Sequence, residues 1–213
     1  MTSVAAVVAS QAQAQAQVHA QGQGQGQGQG QVPIQVQTQI PRAIMRGADD
    51  VPMVRIGPGV SIQYLQVDLQ RDIRVTRALL EPGLKLRRHT HTGHVFAWTL
   101  GGSWLYTEYP QDVNVAGCYL YEEAGSSHTL VVPPGNLEPA DVLFIVHGGN
   151  LDHDDSGATI SVTDAHSVLA VYLRACREQG LPRPNIIGLP AHVHSDLDLP
   201  GAAGKSFDTA TLT

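Results

Sequence analysis

The chain of 213 residues has little positive charge and nowhere concentrates it: 13 Lys and Arg stand against 19 Asp and Glu, a net charge of -6. A surface that tracks phosphates needs a basic run, so nucleic acid and anionic membrane are excluded as principal partners. Cysteine is scarce as well. Cys118 falls in a predicted strand and Cys176 in a predicted helix, both among apolar neighbours and without metal or redox spacing, so they read as buried reduced thiols. No Lys or Arg precedes Arg42. Neither the charged start of a secretory signal nor an Arg-rich transit peptide is present, which makes the protein cytoplasmic in this reading. Two catalytic motifs are missing too. Gly57-Pro-Gly59 precedes no predicted helix and is a turn rather than a phosphate loop. Ser126 and Ser127 lack the strand-to-helix elbow that would make either a nucleophile.

What is present begins with a period-two repeat. Residues 11–40 run Gln-Ala, Gln-Gly and Gln-Val or Gln-Thr, whose alternate positions are mostly too small to bury useful area, so residues 1–47 are expected to be a disordered Gln-rich tail. His19 lies in it and is no ligand candidate. The remaining apolar content suffices for one domain, assigned to 48–188. Beyond Gly188 the chain turns Pro-, Ala- and Gly-rich, and 189–213, with the pair His192 and His194, reads as a flexible C-terminal tail.

Within the domain short apolar runs alternate with turn signals, which predicts an all-β fold. Strands are expected at Ile62–Leu69, Ile73–Leu80, Leu84–Leu86, Val95–Leu100, Ser103–Tyr109, Gly117–Tyr121, Thr129–Val132, Val142–Val146 and Ala158–Val162, with a hairpin at Gly101-Gly102. Their spacing fits an antiparallel jelly-roll barrel. Between Asp164 and Gln179 the period changes: Val168, Leu169, Tyr172, Leu173 and Cys176 recur at helical spacing, predicting one amphipathic helix against the barrel.

The chemistry rests on His89-Thr90-His91, followed by His94 and, far downstream, His128. Alternate strand residues share a face, so His89 and His91 aim at one point, and a third imidazole from His128 would complete a three-nitrogen face on a divalent ion. Gly83 and Gly101 frame the first histidines, and Gly117 and Gly125 precede His128 at matching intervals. These two framed spacings resemble the cupin superfamily, with Glu123 where that family usually has Pro and His94 where it usually has its carboxylate ligand. Longer segments, at 91–100, 124–132, 141–146 and 175–181, resemble the 2,4'-dihydroxyacetophenone dioxygenases within it.

The resemblance implies a cupin jelly roll binding ferrous iron and using dioxygen to cleave a carbon–carbon bond of an aromatic α-hydroxyketone such as 2,4'-dihydroxyacetophenone. It also leaves room for a homodimer. His89, His91 and His128 are the ligands so implied. His94 is either a fourth ligand or an acid/base group beside the metal. Glu108 is a candidate acid/base residue, set against a plain role at the rim, since pairing across a two-residue hairpin would put it on the face opposite His94. Phe96, Trp98, Leu100 and Tyr119 are the expected lining of the substrate cavity. The alternative is a non-catalytic zinc-binding cupin, a sensor or ligand-binding module of the ChrR kind. A third course is a cupin that has lost its metal with the change at the carboxylate position.

Overall fold

Alternation of buried and exposed side chains governs the strands, and it is most regular in Ile73–Leu80, where every second residue from Arg74 to Leu80 is buried. The structure is a computed structural model, and it describes residues 43–47 and 49–199. Its strands are β1 Val54–Gly57, β2 Val60–Asp68, β3 Ile73–Leu80, β4 His89–His91, β5 Val95–Gly101, β6 Ser103–Tyr106, β7 Asn114–Val115, β8 Tyr119–Glu122, β9 Ser127–His128, β10 Leu130–Val131, β11 Ala140–His147, β12 Asn150–His153 and β13 Thr159–Thr163. They build a six-stranded sheet in the order β1-β2-β3-β11-β5-β8, a four-stranded sheet β13-β12-β4-β9 and a three-stranded sheet β10-β6-β7. All named pairs are antiparallel. The three sheets turn residues onto one cavity, the arrangement of a cupin jelly roll whose ladders do not close into a continuous ring.

The helix α1, Ala165–Glu178, starts where the sequence predicts: Asp164 caps it, with its side chain accepting from the Ser167 N–H while the Ser167 hydroxyl receives the Asp164 N–H. This reciprocal pairing satisfies two groups that the first turn leaves open. Its apolar stripe, including Leu169, Tyr172, Leu173 and Cys176, joins the core formed by β1 and β2. The hydroxyls of Tyr64 and Tyr172 donate to the Ala165 and Pro52 carbonyls, so both buried rings meet their polar requirement.

Five expectations change. Leu84–Leu86 forms no strand, since Lys85 makes only an isolated bridge to Val131. No hairpin forms at Gly101-Gly102, because β5 and β6 belong to different sheets. Gly102, with φ 63°, turns the corner between them, and a Cβ there would meet the Pro139 carbonyl at 2.6 Å. Residues 189–199 are not a loose tail. Val193 and Leu199 are buried, and the Asp196 carboxylate accepts from Arg177 at 2.8 and 3.1 Å. Cys118 is half-buried rather than buried, whereas Cys176 is inside as expected. Strands β1, β7 and β12 carry too few apolar residues, or run too short, to announce themselves in sequence. The expectations for residues 1–42 and 200–213 lie outside the described residues. No helix of the described residues is long and apolar enough to cross a membrane.

Candidate metal centre

Register brings the histidines together. His89 on β4 pairs directly with His128 on β9, which places their side chains on one face, and His91 follows two residues along the same strand. Their ring centroids form a nearly equilateral triangle of 4.8, 4.9 and 5.1 Å, and one ligand-type nitrogen from each lies within 4.8 Å of the others. All three are buried.

A carboxylate joins them from the opposite sheet. Glu122 ends β8 directly across from Val95 of β5, on the inward face, and its Oε2 lies 3.0 Å from His91 Nε2 and 3.3 Å from His128 Nε2. The Tyr106 hydroxyl donates to its other oxygen, Oε1, while the Tyr106 ring stacks on His128 with centroids 3.8 Å apart. Gly125 and Ser126 hold this corner in place through backbone bonds to His91.

Electrostatics suit a cation. Burial, joined by neighbouring His89 and His91, pushes the His128 imidazole down to about 4 against the opposing pull of Glu122. Burial likewise lowers His89, with His91 adding to the effect. Burial would raise Glu122, but its close contact with and attraction to His91, with His128 and Tyr106, hold it below the ordinary carboxylate range. Neutral imidazoles at His89 and His128 beside an ionised Glu122 are protonation states that metal binding needs. His89 Nδ1 donates to the Arg87 carbonyl at 2.9 Å, which fixes the tautomer and leaves Nε2 as the free lone pair. His128 Nε2 and Glu122 Oε2 are buried and lack hydrogen bonds despite their proximity. Buried polar atoms of this kind cost roughly 1–3 kcal/mol each when unsatisfied. A divalent ion held by His89, His91 and His128 satisfies that requirement, and the residues therefore fit a metal.

A cavity of about 140 Å³ opens on this cluster. Arg74, Thr76, Val95, Phe144 and Val146 line it from the six-stranded sheet, with Asn150 and Leu130 opposite. Its volume falls below the roughly 300 Å³ at which drug-sized sites begin, so it suits a compact molecule.

The other predicted site residues are elsewhere. His94 does not reach the cluster: its ring stacks on His147 with centroids 4.1 Å apart, near Phe96 and Tyr121. The chain bends at Thr92-Gly93, where Gly93 passes so close to His147 that a Cβ would lie 2.2 Å from its carbonyl oxygen. After that bend the inward residues of β5 are Val95, Ala97 and Thr99. Phe96, Trp98 and Leu100 consequently face outward, as does Tyr119 on β8, and none of the four lines the cavity. Glu108 is exposed and tied to Thr129, accepting from its N–H at 2.8 Å and its hydroxyl at 3.0 Å. His192 and His194 are exposed and join no metal-type cluster.

Sequence reasoning missed Glu122, Tyr106 and Arg74. A signal for Glu122 existed in the alternation Tyr119-Leu120-Tyr121-Glu122, where inward Leu120 fixes the parity of the acidic residue. Arg74 and Tyr106 carried no comparable mark.

With the geometry in hand, comparison with known proteins is specific. The family model described as the ChrR cupin-like domain matches residues 42–150. A protein of unknown function with a cupin-like fold from Ralstonia eutropha JMP134 is 34% identical, with a TM-score of 0.62 over 67% of this chain and 90% of that one. An RmlC-like cupin protein from the same organism is 29% identical, with a TM-score of 0.63 over 68% of this chain and 92% of that one. An acetylacetone dioxygenase from Acinetobacter johnsonii shares the fold at 15% identity, with a TM-score of 0.53 over 63% of this chain and 93% of that one. No curated protein matches the sequence.

Proposed function

The chain belongs to the ChrR cupin-like family, and from that premise we propose that it is a non-haem iron dioxygenase cleaving a carbon–carbon bond of a small enolisable ketone, such as the aromatic α-hydroxyketone 2,4'-dihydroxyacetophenone. The observation that carries this reading is the buried triangle of His89, His91 and His128, with Glu122 touching two of its members. Ferrous iron in such a site supplies dioxygen activation and polarises a substrate carbonyl.

The chain's own residues do the rest. Glu122 Oε2, buried and without a hydrogen bond, is placed to take the proton from a substrate hydroxyl or an acidic α-carbon, leaving the substrate anion and a neutral carboxyl group. Tyr106 orients that carboxylate through Oε1. Val95, Phe144 and Val146 exclude water from the reacting face.

The second reading, a zinc-binding module, draws on the same carboxylate. Three imidazoles and Glu122 would make a closed four-ligand set, the pattern of structural zinc sites rather than open catalytic ones.

Oxygen uptake by iron(II)-loaded protein separates the two. The dioxygenase consumes one dioxygen per 2,4'-dihydroxyacetophenone and releases 4-hydroxybenzoate and formate, which accounts for every atom of both reactants. No uptake with a panel of hydroxyketones and β-diketones, combined with tight and stable zinc binding, replaces the enzyme with the module.

A further inference from the structure

One wall of the cavity holds a buried cation whose charge the protein does not neutralise by contact. Arg74 is 5% exposed and lines the cavity with the histidines. Its guanidinium donates to the Gly148 carbonyl at 3.0 Å and to Asn150 Oδ1 at 3.1 Å, both uncharged acceptors. No carboxylate of the described residues lies within ion-pair distance of it. Asp72, Asp164 and Asp152 attract it from beyond ion-pair distance, while their carboxylates accept hydrogen bonds from the Ala165 N–H, the Ser167 N–H, and the Ser161 and Thr163 hydroxyls. Burial is the largest influence on Arg74 and lowers its pKa, yet a guanidinium stays protonated at neutral pH.

Position relative to the histidines follows from register. Arg74 of β3 pairs with Val146 of β11, Val146 with Val95 of β5, and Val95 with Glu122 of β8. Directly paired residues share a face, so Arg74 and Glu122 stand in one inward row, three strand spacings or about 14 Å of backbone apart. Opposite charges therefore close the two ends of the row. A buried guanidinium presents five N–H donors. The two bonds to Gly148 and Asn150 leave the others for a molecule in the cavity, and their planar fork matches a carboxylate.

We propose that Arg74 is the anion-recognition residue of this cavity, and that the molecule bound there is a small carboxylate, seated with its charge on Arg74 and its opposite end at His89, His91 and His128. Glu122 reinforces the direction, since a carboxylate placed at the histidine end would face a like charge. This rests on the proposed site for the role of the histidines and adds a preference within its substrate class: an enolisable ketone that carries a carboxylate remote from its reacting carbonyl binds more tightly than an uncharged one such as 2,4'-dihydroxyacetophenone. A carboxylate ligand gives the guanidinium the direct charged contact that Asp72, Asp152 and Asp164, acting from beyond ion-pair distance, do not.

The test is calorimetric titration of the full-length protein with benzoate and with its uncharged counterpart benzamide. Wild-type protein prefers benzoate by about tenfold or more, the range of a hydrogen bond to a charged group. Arg74→Gln abolishes the preference, while Arg74→Lys, which keeps a cation but not the fork, retains it with weaker benzoate binding. His128→Ala keeps it, because the anion does not rest on the metal site. Equal affinities for the two probes in wild-type protein overturn the proposal, as does a preference that survives Arg74→Gln or disappears in His128→Ala. Should Arg74→Gln fail to fold, wild type, Arg74→Lys and His128→Ala still decide. Failure of the dioxygenase reading shows only in oxygen uptake and leaves these titrations unaffected.

Discussion

Glu122 Oε2 stands 3.0 Å from His91 Nε2, although the two residues come from strands of different sheets. The carboxylate thus reaches the histidines from β8 rather than from the turn after β4, where His94 occupies the position at which the superfamily usually has it. Its role decides whether the site is open for chemistry or closed around an ion. In the catalytic account Glu122→Gln keeps the metal, because three imidazoles remain, and lowers turnover about 100-fold or more, as loss of a general base does. Metal analysis beside oxygen uptake checks this; loss of the ion from Glu122→Gln makes Glu122 a ligand instead.

Tyr106 holds Glu122 through one hydroxyl while its ring covers His128. Tyr106→Phe keeps the ring and removes the donor. Denaturant unfolding of this variant is expected to show a loss of about 2 kcal/mol, the scale of a buried hydrogen bond to a charged group. An unchanged midpoint means that the bond is replaced at no cost.

Acid should weaken the metal-free protein before it protonates most surface carboxylates. His128 titrates near 4 when folded because it is buried, against its ordinary 6.5. The unfolded chain therefore binds the proton more readily, and stability falls as pH drops from about 7 through the folded value. For this group alone the loss between pH 7 and pH 5 is about 2 kcal/mol. Glu122 acts in the same sense at lower pH, since its folded value lies below the ordinary one and its contribution disappears as it protonates. Unfolding measured in a chelator across this window checks the slope. Stability that is flat, or that rises toward pH 5, contradicts it.

The segment after α1 offers a direct test of its packing. Val193 is 1% exposed. Val193→Ala should cost about 2 kcal/mol, the transfer term for two buried methyl groups with part of a cavity term. No measurable change in the unfolding midpoint would return residues 189–199 to the loose tail that their composition suggests.

Much of this architecture is legible in the sequence, and the failures have a common origin. Strand β3 coincides with its predicted run because Arg74, Thr76, Ala78 and Leu80 alternate with outward residues along its whole length. Helix α1 is readable at both ends because Asp164 and Ser167 cap it and its stripe keeps one period. The buried histidine cluster is legible in part because His89 and His91 on one strand share a face whatever the fold does next. Parity beyond a bend is not legible in this way. Thr92-Gly93 resets which residues of β5 point inward, a one-residue change that moves Phe96, Trp98 and Leu100 to the outer face together. Glu122 and Arg74 meet the cavity only through pairings among β3, β11, β5 and β8, which sequence spacing does not encode. Composition misled at 189–199, where Pro and Gly surround the few residues that pack.

Metal content of purified full-length protein and of the His89→Ala, His91→Ala and His128→Ala variants tests the central claim most directly. One ion per chain in the parent, and less than about a tenth of that in each variant, is the result expected of a site that needs all three nitrogens. Stoichiometric metal retained in all three variants contradicts it.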